Sequence, residues 1–404
     1  MPGTGSNKST TQFQGGGIMK CGTGVTLIGK SSLLARRISV RANCTISQLK
    51  EAALAGLCPD KTVNGGTFET QAELDTLRGC TKIEGDLIIQ NFITSTIDFS
   101  VFNCLKEITG RIEIIGNTAL TAISGFAKLT KIGASKLPIL APLLGIFTPS
   151  SIVIFNNAEL KTIAGFGALI TVDGNFVSIF NNKLESITGF GVLKTVGVLK
   201  TVGGNFIIIG NATLKTIDGF GVLETVGEDF SIDLNAALKT IPQFTKLKTV
   251  GGNFQIDNKA TLKTIDGFGV LETVGQDFGI YTNAELASIT GFVALKTVGW
   301  DFIIKDNAEL KTIDGFGALI TVGEIFQIFD NGGDLTGDAN NVVTTITGFN
   351  NFSTNPKGIT GNVTVTGISE TQLLEFANVE IRNNMAEATD GSKDFSFTIP
   401  ALAS

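Results

Sequence analysis

No histidine occurs anywhere in this 404-residue chain, and that bounds every chemical reading of it. Ser-His-Asp triads, imidazole general bases and most catalytic zinc sites are excluded. One stretch, Gly24–Ser31 (GVTLIGKS), fits the GxxxxGK[ST] spacing of a phosphate-binding loop. Such a loop works only between a buried strand and a helix of a nucleotide-binding α/β domain. Here it follows three glycines at 15–17 in a segment without that context, so it reads as a chance match. No cluster of Asp and Glu suggests carboxylate catalysis. The expectation is a non-enzymatic protein with no catalytic residue, no metal and no cofactor.

The remaining groups with chemistry are thiols and surface aromatics. Five cysteines fall at 21, 44, 58, 80 and 104. Cys44 and Cys58 bracket a predicted helix over 47–57. Cys80 and Cys104 stand one repeat period apart, which would set them face to face on neighbouring rungs. Two bridges, with Cys21 left over, suit an oxidising compartment; unbridged buried thiols fit the sequence equally well. The spacing does not match a zinc site. Tyr281, Trp300 and Phe329 occupy variable positions of successive repeats and form a candidate sugar- or protein-binding patch. A second candidate contact is the apolar stretch 137–147 (LPILAPLLGIF), through Leu137, Ile139, Leu143, Leu144 and Phe147. It is too short to cross a bilayer, and either docks a partner or folds back over the protein.

These groups are positioned by a repeat. A Gly-Phe or equivalent Phe recurs at Phe166, Phe190, Phe220, Phe244, Phe268, Phe292 and Phe316. The usual interval is about 24 residues, and a fixed period in this range marks a solenoid, in which each unit packs only on its neighbours. Departures are insertions: a tandem VLKTVG copy at 192–203, the apolar stretch after residue 136, and a surplus between 332 and 344. About ten such coils at roughly 4.8 Å each give a rod about 50 Å long. The segments within a coil are short, rich in Thr, Ile, Val and Phe, and separated by Gly, Asn or Pro, which favours strands over helices.

In the segment Phe-x-Ile, Phe206, Phe230 and Phe254 recur at one position and Ile208, Ile232 and Ile256 two residues later. Period-2 alternation turns both sets inward and the variable residues between them outward. An asparagine column, Asn117 to Asn331, marks a turn and is broken at Lys259; its amides are expected to satisfy backbone groups of adjacent coils. A second column contains Asn175, Asp229, Asp277 and Asp301. Outward charges alternate along Lys194, Glu224, Lys248, Glu272 and Lys296. Lys215, Lys239, Lys263 and Lys311 form a like-charged column, either relieved by Asp218, Asp266 and Asp314 or used to meet an anion.

The ends differ from the middle. Residues 1–50 contain no Asp or Glu and several Lys and Arg, as in an organellar leader with Val40-Arg41-Ala42 as a cleavage context, or in a basic tail. Helical caps are expected at 47–57, after Thr70 (a capping box with Glu73, ended at Gly79) and over 369–377. The division is a leader at 1–43, an N-terminal cap at 44–79, the solenoid at 80–367, and a C-terminal cap and tail at 368–404. No apolar run spans a bilayer. A net charge of −6 and a mostly interior set of aromatics argue against nucleic acid.

The stretch Cys80–Ile89 (CTKIEGDLII), its preceding cap TFETQAELDTLR at 67–78, and units such as LKTIDGFGVLETVG at 262–275 resemble receptor L-domain repeats, over roughly residues 63 to 367. The resemblance implies a single-stranded right-handed β-helix related to leucine-rich repeats. It also implies a place outside the cell, with a protein or sugar as ligand or a structural role in a wall. The second L domain, Cys-rich module and membrane span of receptor relatives do not occur in this sequence. Three functions fit: a surface or extracellular binding or structural module, an organelle-targeted intracellular scaffold (plastid or mitochondrion), and an ice- or surface-binding β-helix. Oligomeric state is not legible.

Overall fold

The computed structural model describes residues 58, 60–135, 150–190, 201–241, 244–329 and 331, with strands at 18–21, 25–28, 345–346, 362–368, 385–387 and 393–398. The leader apart from those first two strands, Cys44, the helices expected at 47–57 and 369–377, the apolar stretch 137–147, most of the tandem copy and the surplus at 332–344 lie outside the described residues.

The chain winds into a β-solenoid whose coils carry up to three short strands each. The first side holds Thr-Val pairs such as Thr225–Val226, and the second holds four-residue strands such as Phe230–Asp233. The third holds pairs such as Thr216–Ile217. Strands pair in parallel with their counterparts one coil on, as Thr225 with Thr249, Phe230 with Phe254 and Thr162 with Ser186. Ten second-side strands run from Lys82–Gln90 to Phe326–Phe329. The first is flanked by Thr62–Phe68, and the last by Asn362–Ile368, itself paired antiparallel with Lys393–Thr398. The helix Gln71–Asp75 has the expected capping box, with Thr70 and Glu73 bonding each other's backbone N–H groups.

Two phenylalanine columns fill the interior. Strand residues such as Phe230 and Phe254 stack at 5.1 Å and 4°. Gly-Phe residues such as Phe268 and Phe292 stack at 5.4 Å and 4°. The columns meet edge-on, as Phe254 meets Phe268 at 4.8 Å and 89°. Contacts within and between the columns are thus stacked or edge-to-face, the arrangements an aromatic quadrupole favours. From Thr201–Val202 to Thr321–Val322 a glycine follows each Thr-Val pair, because the backbone turns hard against the coil below. A Cβ at Gly251 would lie 2.1 Å from the carbonyl oxygen of Gly227.

Polar ladders close the two turns that flank the second side, and they make different demands. In the asparagine ladder, Oδ1 of Asn307 accepts from the backbone N–H and Nδ2 of Asn283, while Nδ2 of Asn307 donates to the carbonyls of Ile280 and Lys305. Each rung is both donor and acceptor, so only an amide completes it. The satisfied groups belong to the coil below as well as to the residue's own coil. In the second ladder, Asn253 N–H donates to Asp229 Oδ1, and Asp277 N–H to Asn253 Oδ1. That ladder needs an acceptor alone, which is why Asp and Asn alternate there freely.

The cysteine pairing differs from the sequence expectation. Cys104 is bonded to Cys58, and Cys80 is a buried free thiol. Lys82 pairs with Glu107, so this coil is one residue longer than the period. The extra residue moves Cys80 into register with Leu105, in the interior leucine column, and leaves Cys104 turned away from it. Both Cys80 and Leu105 are fully buried. The disulfide ties the segment before the first rung to the first coil.

The two ladders predict opposite tolerances. Asn307→Asp puts a carboxylate where two carbonyls need a donor, and is expected to cost about 2–4 kcal/mol in urea unfolding. Asp277→Asn keeps the acceptor and should change stability by less than about 1 kcal/mol. Equal losses would refute the distinction.

Candidate binding surface

The outward face of the second side is where coils of one architecture differ most. Two residues per coil point out, one after the Phe and one after the Ile. At the early rungs they are Val153 and Phe155, then Val177 and Ile179, then Ile207 and Ile209. They become Ser231 and Asp233, then Gln255 and Asp257, then Gly279 and Tyr281, then Ile303 and Lys305. Val153, Val177, Ile179 and Ile207 form a second apolar cluster outside the wall of the solenoid, all of them buried. One rung earlier Arg111 and Glu113 are buried on this face, with Arg111 Nε 2.9 Å from Glu113 Oε1 and 3.4 Å from Asp86 Oδ2. Burial pushes the Glu113 carboxyl up, against the pull of Arg111.

The corner beside this face carries a conformational cost. The residue before each ladder position is left-handed: Asn91, Gly116, Asn156, Phe180, Gly210, Leu234, Asn258, Thr282 and Asp306 have φ between 52° and 67°. The conformation lets the chain leave the second side and aim the next side chain inward. Asn, Asp and Gly adopt it readily, whereas a bulky residue is strained by about 1–2 kcal/mol. Phe180 and Leu234 are nevertheless there, 40% and 48% exposed. The Phe180 ring lies over Gly210, where a Cβ would meet it at 2.5 Å, and its other flank contacts Phe155 at 6.2 Å between centroids. Phe155 and Ile209 pack against the outer cluster that includes Ile179, Phe180 contacts Phe155, and Leu234 follows Asp233, whose Cα pairs with that of Ile209; the three apolar residues Phe155, Phe180 and Leu234 thus line this corner as a ridge.

Past the ridge lies the one substitution in the ladder between Asn117 and Asn331 among the described residues. Lys259 is fully buried and its Nζ donates to the carbonyls of Ile232, at 2.6 Å, and Asp257. It replaces the donor half of an asparagine and cannot replace the acceptor half. Burial lowers its pKa to about 7, opposed by the carboxylates of Asp233 and Asp257. Burial in turn pushes the Asp257 carboxyl up. Tyr281, whose ring lies over Gly279 with Lys305 Nζ 5.7 Å from its centroid, is pushed up to about 12, chiefly by burial.

The aromatic residues singled out from sequence are not gathered into one patch. Tyr281 sits at the end of its strand, paired with Lys305, whereas Trp300 precedes Phe302 at the opposite end of the adjacent paired strand. About five residues of strand, roughly 16 Å, separate those ends. Trp300 is 47% exposed at the first turn. Phe329 ends the strand Phe326–Phe329, its Cα paired with that of Lys305. Lys215 of the lysine column is relieved from within it. Lys215 Nζ lies 3.2 Å from Glu185 Oε2 one rung below, and Lys183 pairs with Glu159 at 2.6 Å. Asp218 and Asp314 instead accept from the following glycine N–H. These lysines, with Lys161, Thr213 and Ala237, line a shallow groove of about 230 Å³ whose charge is largely neutralised. Sequence reasoning missed the ridge. Its signal was present, because Phe180 and Leu234 interrupt a position otherwise held mainly by Asn, Asp and Gly. Among the described residues, no group of His, Cys, Asp and Glu could hold a metal ion, and no helix is long and apolar enough to cross a membrane.

Lys259 gives a pH prediction. Its folded pKa, about 7, lies below the ordinary 10.5, so between those values the unfolded chain holds the proton more tightly and stability rises with pH. The rise has a ceiling of about 1.4 kcal/mol per pH unit. Tyr281 and the buried Cys80 thiol, both pushed up, act oppositely in the alkaline range and do so in any variant that keeps them. Lys259→Asn should remove the positive contribution. Urea unfolding of both proteins at pH 7.5 and 9.5 checks it, and identical pH dependence would refute it.

Residues 79–188 match the family model described as Receptor L domain. The match runs from just after the cap helix through the rungs of Val153 and Val177, including Phe155 and Phe180, and ends before Ile207 and Leu234. No curated protein and no solved structure matches the chain. The stretch 79–188 is thus similar to a ligand-binding module of leucine-rich-repeat-like solenoid fold, and the coils after it repeat the same architecture.

Proposed function

We propose that this protein is a non-enzymatic binding module of the cell surface or extracellular space, and that it holds a protein or glycan ligand along the ridge Phe155–Phe180–Leu234. The observation that carries the reading is conformational. Two bulky, half-exposed side chains are kept in left-handed backbone positions where the fold is better served by Asn or Gly. Strain of that kind collects at functional sites. Exposed aromatic and aliphatic side chains beside a buried apolar cluster are also the material of binding hot spots. The similarity of residues 79–188 to receptor L domains supports ligand binding, and the Cys58–Cys104 bridge suits an oxidising compartment. The acidic patch at Asp233 and Asp257 beside the ridge favours a ligand with a basic flank.

The test separates binding from stability. Leu234→Asn should leave the melting temperature unchanged or raised, because about 1–2 kcal/mol of strain relief offsets the lost partial burial. The full chain is screened by direct binding against arrays of extracellular protein domains and of glycans. The ligand so found should bind Phe180→Asn/Leu234→Asn at least tenfold more weakly. Unchanged affinity, or a large fall in stability without loss of binding, would sink the proposal.

A further inference from the structure

Three features of the rod weaken at one coil, and they weaken on one side. The third side is not continuous. Its strands form two sheets of four, one ending at Thr216–Ile217 and the other starting at Thr264–Ile265, with Thr240 and Ile241 in neither. The sequence offers a reason for the gap. By repeat register a proline, residue 242, stands where the sequence has Asp218 and Asp314, whose N–H groups donate to Ile187 and Ile289 one coil below, and proline has no N–H. The asparagine ladder breaks in the same place. Asn211 bonds to Asn235 and Asn283 to Asn307, but between Asn235 and residue 259 a lysine offers no acceptor. The Gly-Phe stack also loosens there. Phe220 and Phe244 lie 6.3 Å apart, whereas Phe190–Phe220 and Phe244–Phe268 are 4.9 Å and 5.2 Å.

The other two sides run through without interruption. Thr225, Thr249 and Thr273 pair in series on the first side, and Phe230, Phe254 and Phe278 on the second. Solenoid stability is approximately a sum of nearest-neighbour terms, so a coil with weaker interfaces divides the rod mechanically. We infer that the coil from Asn235 to Asn258 is a hinge. The third side opens there, while the first and second sides act as the leaf that holds the two halves together. The charged groups facing Lys259 are Asp233 from the coil below and Asp257 on its own coil. They add charge to a joint that elsewhere in the ladder holds neutral amides. Leu234 of the binding ridge adjoins the hinge coil, so opening would alter the surface presented on that corner.

Residue-resolved hydrogen exchange of the full chain at pH 7 tests the hinge. The comparison uses amides that are already bonded, so that opening is measured and not a missing bond. Ala237 and Phe244 N–H donate to Ala212 and Gly267, as Lys215 and Lys311 N–H donate to Glu185 and Ala287 farther along the same side. Ala237 and Phe244 are expected to exchange at least tenfold faster than Lys215 and Lys311. Second-side amides at 230–233 and 254–257 should stay protected. Pro242→Asp with Lys259→Asn should bring Ala237 and Phe244 to within about threefold of Lys215 and Lys311. Uniform exchange along the third side would overturn the hinge, as would exchange of the second side together with it. Should the double variant fail to fold, the wild-type gradient decides alone.

Discussion

Each rung of the asparagine ladder must give a hydrogen bond and take one, and the rest of the rod is arranged around that requirement. The turn after the second side leaves backbone carbonyls and an N–H inside the wall, where water cannot reach them. An asparagine amide serves both, and it does so for the coil below as well as its own. That side chain can reach inward only if the residue before it is left-handed, which places a fixed conformational demand at the corner of every coil. With the corner fixed, Phe and Ile of the second side fall on the same interior columns each time, and the aromatic stacks follow. The second ladder, needing acceptors alone, tolerates Asp and Asn alike.

A scaffold so uniform inside has little freedom except on its outer surfaces and at its corners. The chain uses that freedom unevenly. The early rungs carry an outer apolar cluster and a buried Arg111–Glu113 pair, and the middle rungs turn acidic. Phe180 and Leu234 stand where the fold would be relaxed by smaller residues. A strained side chain that is also exposed gains nothing from the core, so its retention points to something outside the chain. Lys259 is a different kind of departure. It supplies half of what its position needs and sits beside a third side already interrupted at Thr240 and Ile241.

Much of the interior was legible in the residues because a solenoid packs in one dimension. A column residue meets its own counterparts above and below, so a constant period and an alternation of 2 locate Phe230, Ile232 and Asn235 without knowledge of distant contacts. Cys80 and Cys104 show where that logic fails. Their spacing matches the period, yet the coil between them is longer by one, and the added residue rotates one thiol into the leucine column and the other out to Cys58. Counting gives the period, but register depends on which residues pair. Tyr281 and Trp300 illustrate a second limit. Neighbouring repeats suggested a shared patch, but the two sit at opposite ends of adjacent paired strands, a separation set by rise per residue.

By itself, the sequence determined the architecture: a stack of short parallel strands with aromatic columns, amide ladders at the turns and a capped first end. Those features repeat, and repetition carries its own register. The tertiary structure decided what repetition cannot encode. It fixed the disulfide partner, because one irregular coil shifts the register. It also distinguished two polar ladders that look alike in composition, because only coordinates show which atoms donate. Finally, it revealed the ridge and the weak coil. Both depend on backbone conformation and on bonds absent at a single rung, and neither is a property of residue type alone.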